Sequence, residues 1–353
     1  MSNGEVKFDD FVKSEKWCDL ETHMKTYDEQ IEKDLARLSL ENKNIQEEAR
    51  KYLEAEFKVK KVPEEKLKWA EEILFGGEVC GIDGTCSTYP MQSGIRCRIG
   101  VAATTYKNRR TEGIVFISEQ QVKTEETNVI EILKSRKKEN KLISGMLIRA
   151  IMFYMERYKA LERPEKWLWF NGPLVPYELR TGIGKMRALD TCLKICEEII
   201  KRRTVAGVVA KSTHDELVSL GLALNPCEYV RLRSFEEDLL DYLEEAHFNP
   251  QDYKRMKEFI EKFGCQIDVG LYRGISRSYV FHAHKDFFDD AASLIIKDSL
   301  FQPLRSYPML IDYADSLCTR LLASSDFRRI IDHKLAKLGH LPFELSELSL
   351  RRR

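Results

Sequence analysis

The period of the hydrophobic pattern changes several times along the chain. From about Glu5 to Leu74 the residues are charged and helix-favouring, and Ile31, Leu35, Leu38 and Leu40 recur at near-helical spacing. This predicts a helical arm or hairpin, broken at Pro63. Short apolar runs at Glu78 to Thr85, Ile95 to Thr104 and Gly113 to Ser118 then predict three strands joined by short turns, an antiparallel meander. Beyond them helix and strand alternate. A long amphipathic helix of roughly Asn128 to Leu161 precedes a strand ending Trp167-Leu168-Trp169-Phe170-Asn171-Gly172, then come a helix and a strand at Thr204 to Ala210. After Asn225-Pro226 follow two helical stretches, Phe235 to His247 and Pro250 to Phe263, strands at Cys265 to Tyr272 and Ser278 to Ala283, and helices to the end.

Three antiparallel strands followed by alternating helix and strand is the order of the ribonuclease-H-like fold, so the expected class is α/β with a mixed sheet of that kind. The expected organisation is a helical arm over residues 1–75 and one catalytic-type domain over 76–353, with a helical insertion at about 234–264. In such a sheet the first and fourth strands are neighbours, which would bring Asp83 and Asn171 to adjacent strand ends, where ligands gather in α/β sheets.

The chain has 353 residues, enough for one large core or two smaller ones. Lys plus Arg and Asp plus Glu are 57 each, so no net charge points to a nucleic-acid partner and any such site must come from local charge separation. A polar N-terminus without an apolar span predicts a cytoplasmic protein that does not enter a membrane. Nine cysteines lack the two closely spaced pairs of a structural zinc site and are expected to be reduced.

Asp83, at a strand end and followed by Gly84, suits metal chemistry, because the strand fixes the carboxylate and glycine admits close approach. An isolated Asp-Gly is also an ordinary turn. Glu156 sits among Ile151, Met152, Met155 and Leu161, either as a ligand or as a boundary residue whose stem packs and whose head reaches water. Asn171 can offer a neutral oxygen to a cation. Asp315, two turns into a late helix, is a further ligand candidate or a solvent-facing acid. Lys107, Arg109 and Arg110 fall in a predicted hairpin turn, expected beside these residues and able to hold a phosphate backbone. Further basic clusters stand at Lys134 with Arg136, Lys137 and Lys138, at Lys201-Arg202-Arg203 and at Arg351-Arg352-Arg353. Gly182-Ile183-Gly184-Lys185 lacks the upstream glycine and the Ser or Thr of a phosphate loop. His282 and His284 alternate on a strand and share a face, without a third ligand nearby in sequence.

On these residues the chain resembles the NurA nucleases, DNA-end-processing enzymes that work with the HerA ATPase. The likeness lies in Ile82-Asp83-Gly84-Thr85, in Asn171-Gly172-Pro173-Leu174 where the family has Asp-Gly-Pro-Leu, in Val205-Ala206-Gly207-Val208-Val209-Ala210-Lys211, and in Tyr307-Pro308 leading into Ala314-Asp315. These points run in order over residues 78–320. Two departures stand out: Asn171 replaces an Asp, and Ala314-Asp315 stands where the family often ends in Ala-His. The resemblance implies a manganese- or magnesium-dependent deoxyribonuclease acting in DNA repair or defence. It implies Asp83 as central metal ligand, Glu156 and Asp315 flanking it, and Asn171 as a weakened neutral ligand. It further implies DNA as substrate, a homodimer, and a HerA-like hexameric ATPase as partner. The competing reading is a non-catalytic NurA-like subunit that binds DNA or holds the ATPase; an actin-like or sugar-kinase phosphotransferase is a third, disfavoured because Gly84 follows Asp83 directly.

Overall fold

The computed structural model describes residues 20–91, 94–122, 140–183, 187–210, 215–322 and 324–339. The basic clusters at 134–138 and 351–353, Lys185 of the glycine-containing loop, and the first part of the helix expected from Asn128 lie outside the described residues. By its contacts the chain divides into residues 1–52 and 53–353. The first unit holds most of one long helix, α1 (Leu20–Glu56).

The second unit is built on a nine-stranded mixed sheet. Its elements in chain order are β1 (Lys60–Lys61), α2 (Glu64–Phe75), β2 (Val79–Met91), β3 (Gly94–Lys107), β4 (Arg110–Val122), α3 (Asn140–Leu161), β5 (Trp167–Asn171), α4 (Tyr177–Arg180), α5 (Leu189–Lys201) and β6 (Val205–Val209). There follow α6 (Asp215–Gly221), β7 (Glu228–Ser234), α7 (Phe235–Glu245), α8 (Pro250–Phe263), β8 (Ile267–Arg273), β9 (Ser278–His284), α9 (Phe288–Ser299), α10 (Met309–Leu321) and α11 (Ser324–Lys337). The strand order is β1-β7-β8-β9-β6-β5-β2-β3-β4. β5 pairs parallel with β2 and with β6, and every other pairing is antiparallel.

Hydrophobic patterning accounts for the middle of this sheet. Trp167 to Phe170 are all buried, as expected of a strand covered on both faces. α5 buries Leu189, Cys192, Leu193, Cys196, Ile199 and Ile200, one side of an amphipathic helix. The paired helices between β7 and β8 start at good caps: the Ser234 hydroxyl accepts from the Glu236 N–H, and Asn249 Oδ1 accepts from the Gln251 and Asp252 N–H groups ahead of Pro250 at the first turn.

Three differences from the sequence reading have physical causes. β1 and α2, inside the expected 1–75 arm, pack in the second unit, β1 against β7. β7 itself was not expected; Arg231 and Arg233 interrupt its apolar run, and only Tyr229 and Val230 supply buried hydrophobic side chains. The β2–β3 ribbon is longer than its apolar core, because Tyr89 near its far end packs on Phe327 and Ile331 of α11 and donates to Asp332 Oδ1 at 2.6 Å. The described cysteines are free, as expected. No helix among the described residues is long and apolar enough to cross a membrane.

Candidate functional site

The site is organised by β2 running on past the last register pair it makes with β5. That pair joins Ile82 to Phe170, so Asp83 lies one step beyond it, level with Asn171 at the end of β5. Glycines on β2 bring a helix close on either side. A Cβ on Gly81 would stand 2.7 Å from the Leu310 carbonyl carbon, so only glycine lets α10 lie on the strand. A Cβ on Gly84 would stand 2.6 Å from Glu156 Oε1 and 2.8 Å from Met152 Cγ, on the α3 side. Side chains alternate along a strand, so Asp83 shares the α10 face with Gly81.

Several bonds hold α10 in place. Asp298 of α9 is fully buried, and its carboxylate accepts from the Leu310 N–H at 2.9 Å and from the Tyr106 hydroxyl at 2.7 Å. Thr104 of β3 donates to the Leu310 carbonyl at 2.7 Å, and the Cys318 thiol donates to the Asp83 carbonyl at 3.5 Å. Thus anchored, α10 brings Asp315 within electrostatic reach of Asp83. Just ahead of α10, the buried Tyr307 hydroxyl donates to Asn171 Oδ1 at 2.9 Å, with the Val208 carbonyl as a second acceptor at 3.0 Å. This turns the Asn171 amide donor toward Asp83, whose anion it favours.

Asp83 is 4 % exposed. Burial, then Glu156, then Asp315 hold its carboxyl well above the usual carboxylate range, opposed by the Gly84 N–H and the Asn171 amide. Glu156 is fully buried, and burial pushes it up to about 7 against the opposing Arg157 guanidinium. Arg157, itself fully buried, donates from Nη1 to Glu156 Oε2 at 2.7 Å and from Nη2 to the Pro173 carbonyl at 2.8 Å, and its guanidinium lies 4.8 Å from the Phe170 ring centre. It therefore ties α3 to the loop leaving β5. Glu156 Oε1 has no hydrogen-bond partner. The Gly84 N–H favours its anion electrostatically without meeting hydrogen-bond geometry there.

All four sequence candidates therefore gather around one stretch of β2. Asp83, Asn171 and Asp315 lie toward α10, while Glu156 arrives from α3 at Gly84. Their chemistry suits a hard divalent cation: oxygen donors, crowded carboxyls and an orphaned buried carboxylate oxygen. Yet no three His, Cys, Asp or Glu side chains among the described residues stand close enough to hold an ion. The strand between Asp83 and Glu156 explains that spacing.

The basic turn lies elsewhere. Asn108 and Arg109 both have positive φ, 52° and 63°, as a two-residue hairpin of this kind needs. Ala102 pairs with Asp83, and the turn begins five residues further on at Lys107, toward the start of β2, about 17 Å along the strand. Lys107, Arg109 and Arg110 are thus not beside the site. His282 and His284 share a face but are both buried. His282 packs 4.6 Å from the Phe235 ring centre with burial pushing it down to about 3, and His284 accepts from the Asp286 N–H.

No protein-family profile matches the chain, and no curated protein matches its sequence. Solved structures do match its fold. The NurA nuclease from Sulfolobus solfataricus is 13 % identical with a TM-score of 0.52, the alignment covering 91 % of this chain and 98 % of that one. Another NurA structure is 8 % identical with a TM-score of 0.47 over 87 % and 97 % of the two chains. A third, NurA bound to dAMP and manganese, is 9 % identical with a TM-score of 0.44 over 81 % and 92 %. The chain has a NurA-like fold.

Proposed function

We propose that this chain is a DNA nuclease that hydrolyses phosphodiesters with a divalent cation, manganese or magnesium, at Asp83. The observation that carries the proposal is the convergence of Asp83, Glu156, Asn171 and Asp315 on one stretch of β2, where burial first, then Glu156 and Asp315, hold the Asp83 carboxyl well above the usual carboxylate range. Such crowding is costly unless a cation relieves it. The NurA-like fold supports a nuclease. The run β4-β3-β2-β5-β6 within the sheet supports the ribonuclease-H-like part of the reading, since it places the three antiparallel strands first and the parallel neighbours next.

Asp83 would be the central ligand, with Asp315 and Asn171 on its face and Glu156 reaching the same cation past Gly84. The bound cation would supply Lewis acidity and offset the charge on the phosphate. The chain's own groups do the rest. Tyr307 fixes the rotation of the Asn171 amide, and its second acceptor, the Val208 carbonyl, lets the hydroxyl keep a partner if that amide turns its oxygen toward a cation. Arg157 holds Glu156 and the β5 exit loop in one rigid unit. Glu156 Oε1, lacking a partner and carried on a group that titrates at about 7, can take up or release a proton near neutrality. The Lys107, Arg109 and Arg110 turn would hold a phosphate away from the one being cut. Action on DNA ends with a HerA-type hexameric ATPase, as a homodimer, in repair or defence, belongs to the same proposal.

A DNA-binding or scaffold subunit is the second reading, favoured by the engagement of Asn171 Oδ1 with Tyr307 and by the wide spacing of the described acids. End-labelled single- and double-stranded DNA incubated with the protein in manganese, magnesium or EDTA separates the two. Cleavage only with a divalent cation supports the nuclease; DNA binding without cleavage under every condition supports the scaffold.

A further inference from the structure

The paired helices between β7 and β8 meet α4 around a cavity of about 460 Å³, a size that suits a small ligand or one long side chain. None of the four candidate nuclease residues lines it. Three of its walls are aromatic: Tyr177 from α4, Tyr242 from α7 and Phe248 from the loop joining α7 to α8. The Tyr242 ring stands at 77° to Tyr177 with the ring centres 5.8 Å apart, and at 82° to Phe248 at 5.9 Å. Rings set edge to face turn their negative faces in different directions, which suits surrounding a cation better than sandwiching a flat base. The chain already offers two of these rings to a guanidinium. Arg180, which does not line the cavity, lies 5.0 Å from the Tyr242 ring centre and 5.9 Å from that of Tyr177. Asp238 and Glu178 are within electrostatic reach to offset its charge.

Acids complete the lining. Glu245 ends α7 and Asp252 stands in the first turn of α8, where Asn249 Nδ2 donates to Asp252 Oδ2 at 2.6 Å and holds the carboxylate in place. Neither acid forms an ion pair among the described residues. Glu244 and Glu245 occupy the last turn of α7, which has no basic residue. They sit at the negative end of the helix dipole, where an acid is unfavourable and a cation is welcome. Exposed Glu237, Asp241 and Glu244, at steps of four and three, carry the negative charge along the outside of α7.

We propose that this cavity binds a guanidinium group, stacked on an aromatic wall and donating its N–H groups to Glu245 and Asp252. A phosphate would be repelled by the same acids. An ammonium meets the charge but neither the flat stacking nor the two-pronged donation. The guanidinium can belong to a free guanidine compound or to an arginine of another polypeptide. Nothing in the proposal depends on nuclease chemistry, and its test reads binding alone.

The full chain is titrated calorimetrically at pH 8 with N-acetyl-arginine methylamide, with agmatine, and with the uncharged isostere N-acetyl-citrulline methylamide. The capped arginine is expected to bind with a Kd on the order of a millimolar, and the capped citrulline at least about tenfold more weakly. Glu245→Gln should weaken arginine binding about fivefold to tenfold yet leave Tm unchanged or raised, because it removes an acid from a helix C-terminus. Phe248→Ala should weaken it about threefold to tenfold. A peptide with one arginine flanked by lysines, if at least about tenfold tighter than capped arginine, assigns the site to a polypeptide that also engages the α7 acids. Agmatine as tight as that peptide assigns it to a free guanidine compound; both results support the site. Equal binding of capped arginine and capped citrulline overturns the proposal. So does an absence of binding by every guanidinium probe, or an affinity unchanged in Glu245→Gln and Phe248→Ala.

Discussion

Replacing Asn171 with Asp should destabilise the metal-free protein and reverse sign when a divalent cation is present. In the structure the Asn171 amide donates toward Asp83, a carboxyl already pushed up by burial, Glu156 and Asp315. Asn171→Asp removes that donor and adds a further acid. Losing a hydrogen bond to a charged group is worth about 1.5–3 kcal/mol, and the added like charge is relieved only by holding a proton. A net loss of roughly 2–3 kcal/mol at pH 8 follows, equivalent to a fall of about 3–5 °C in Tm for a domain of this size. The penalty has a defined pH window. Both acids have folded pKa values above their unfolded ones, so the variant matches wild type below about pH 4 and falls behind as pH rises. Saturating manganese should close the gap, since each tenfold gain in cation affinity returns about 1.4 kcal/mol. Thermal melts of the two proteins at pH 4 and pH 8, in EDTA and in manganese, provide the eight melting temperatures, and so the four differences, needed. Equal or higher Tm for the variant at pH 8 in EDTA would refute the reasoning, as would a penalty that persists at pH 4.

The metal-free wild type should itself lose stability from about pH 5 to pH 8. Burial raises Glu156 from 4.5 to about 7, worth roughly 3 kcal/mol that is present below the unfolded pKa and lost as pH passes the folded one. Asp298, raised to about 7, adds to the same slope, and denaturant titrations at several pH values would register it. Gly84→Ala should cost about 1–3 kcal/mol and weaken manganese binding by calorimetry, because the new Cβ occupies the approach of Glu156. Arg157→Met should cost about 3–5 kcal/mol in urea unfolding at pH 8, since it strands the buried Glu156 carboxylate, and Glu156→Gln in the same background should recover much of that loss.

Much of the sheet was legible because its central strands are continuous apolar runs, β5 above all, which ends at Asn171; Asp83 closes only the apolar run that opens β2, and the strand continues beyond it to Met91. The rest depended on contacts that no local pattern carries. Arg157 follows Glu156 directly, and neighbours on a helix do not share a face; the pair forms because the long guanidinium stem folds back in a site closed by Phe170. Asp298 looks like one more acid near the end of a helix, yet it anchors α10 because its carboxylate takes both the Leu310 N–H and the Tyr106 hydroxyl of β3, a long-range relation. The misplaced basic turn could have been foreseen. Successive hairpin turns in a meander lie at opposite ends of the first strand, so the turn after β3 returns to the start of β2, away from Asp83. β7 lacks hydrophobic alternation; its backbone pairing with β8 and β1 makes it a strand.

The most direct test is a matched comparison of wild type and Asp83→Ala on end-labelled DNA with manganese, with DNA binding and folding measured on both. Cation-dependent cleavage by the wild type, lost in a variant that still folds and binds DNA, is the expected result. Undiminished cleavage by Asp83→Ala would remove Asp83 from the chemistry, and a wild type that binds DNA but never cuts it would make the fold a scaffold.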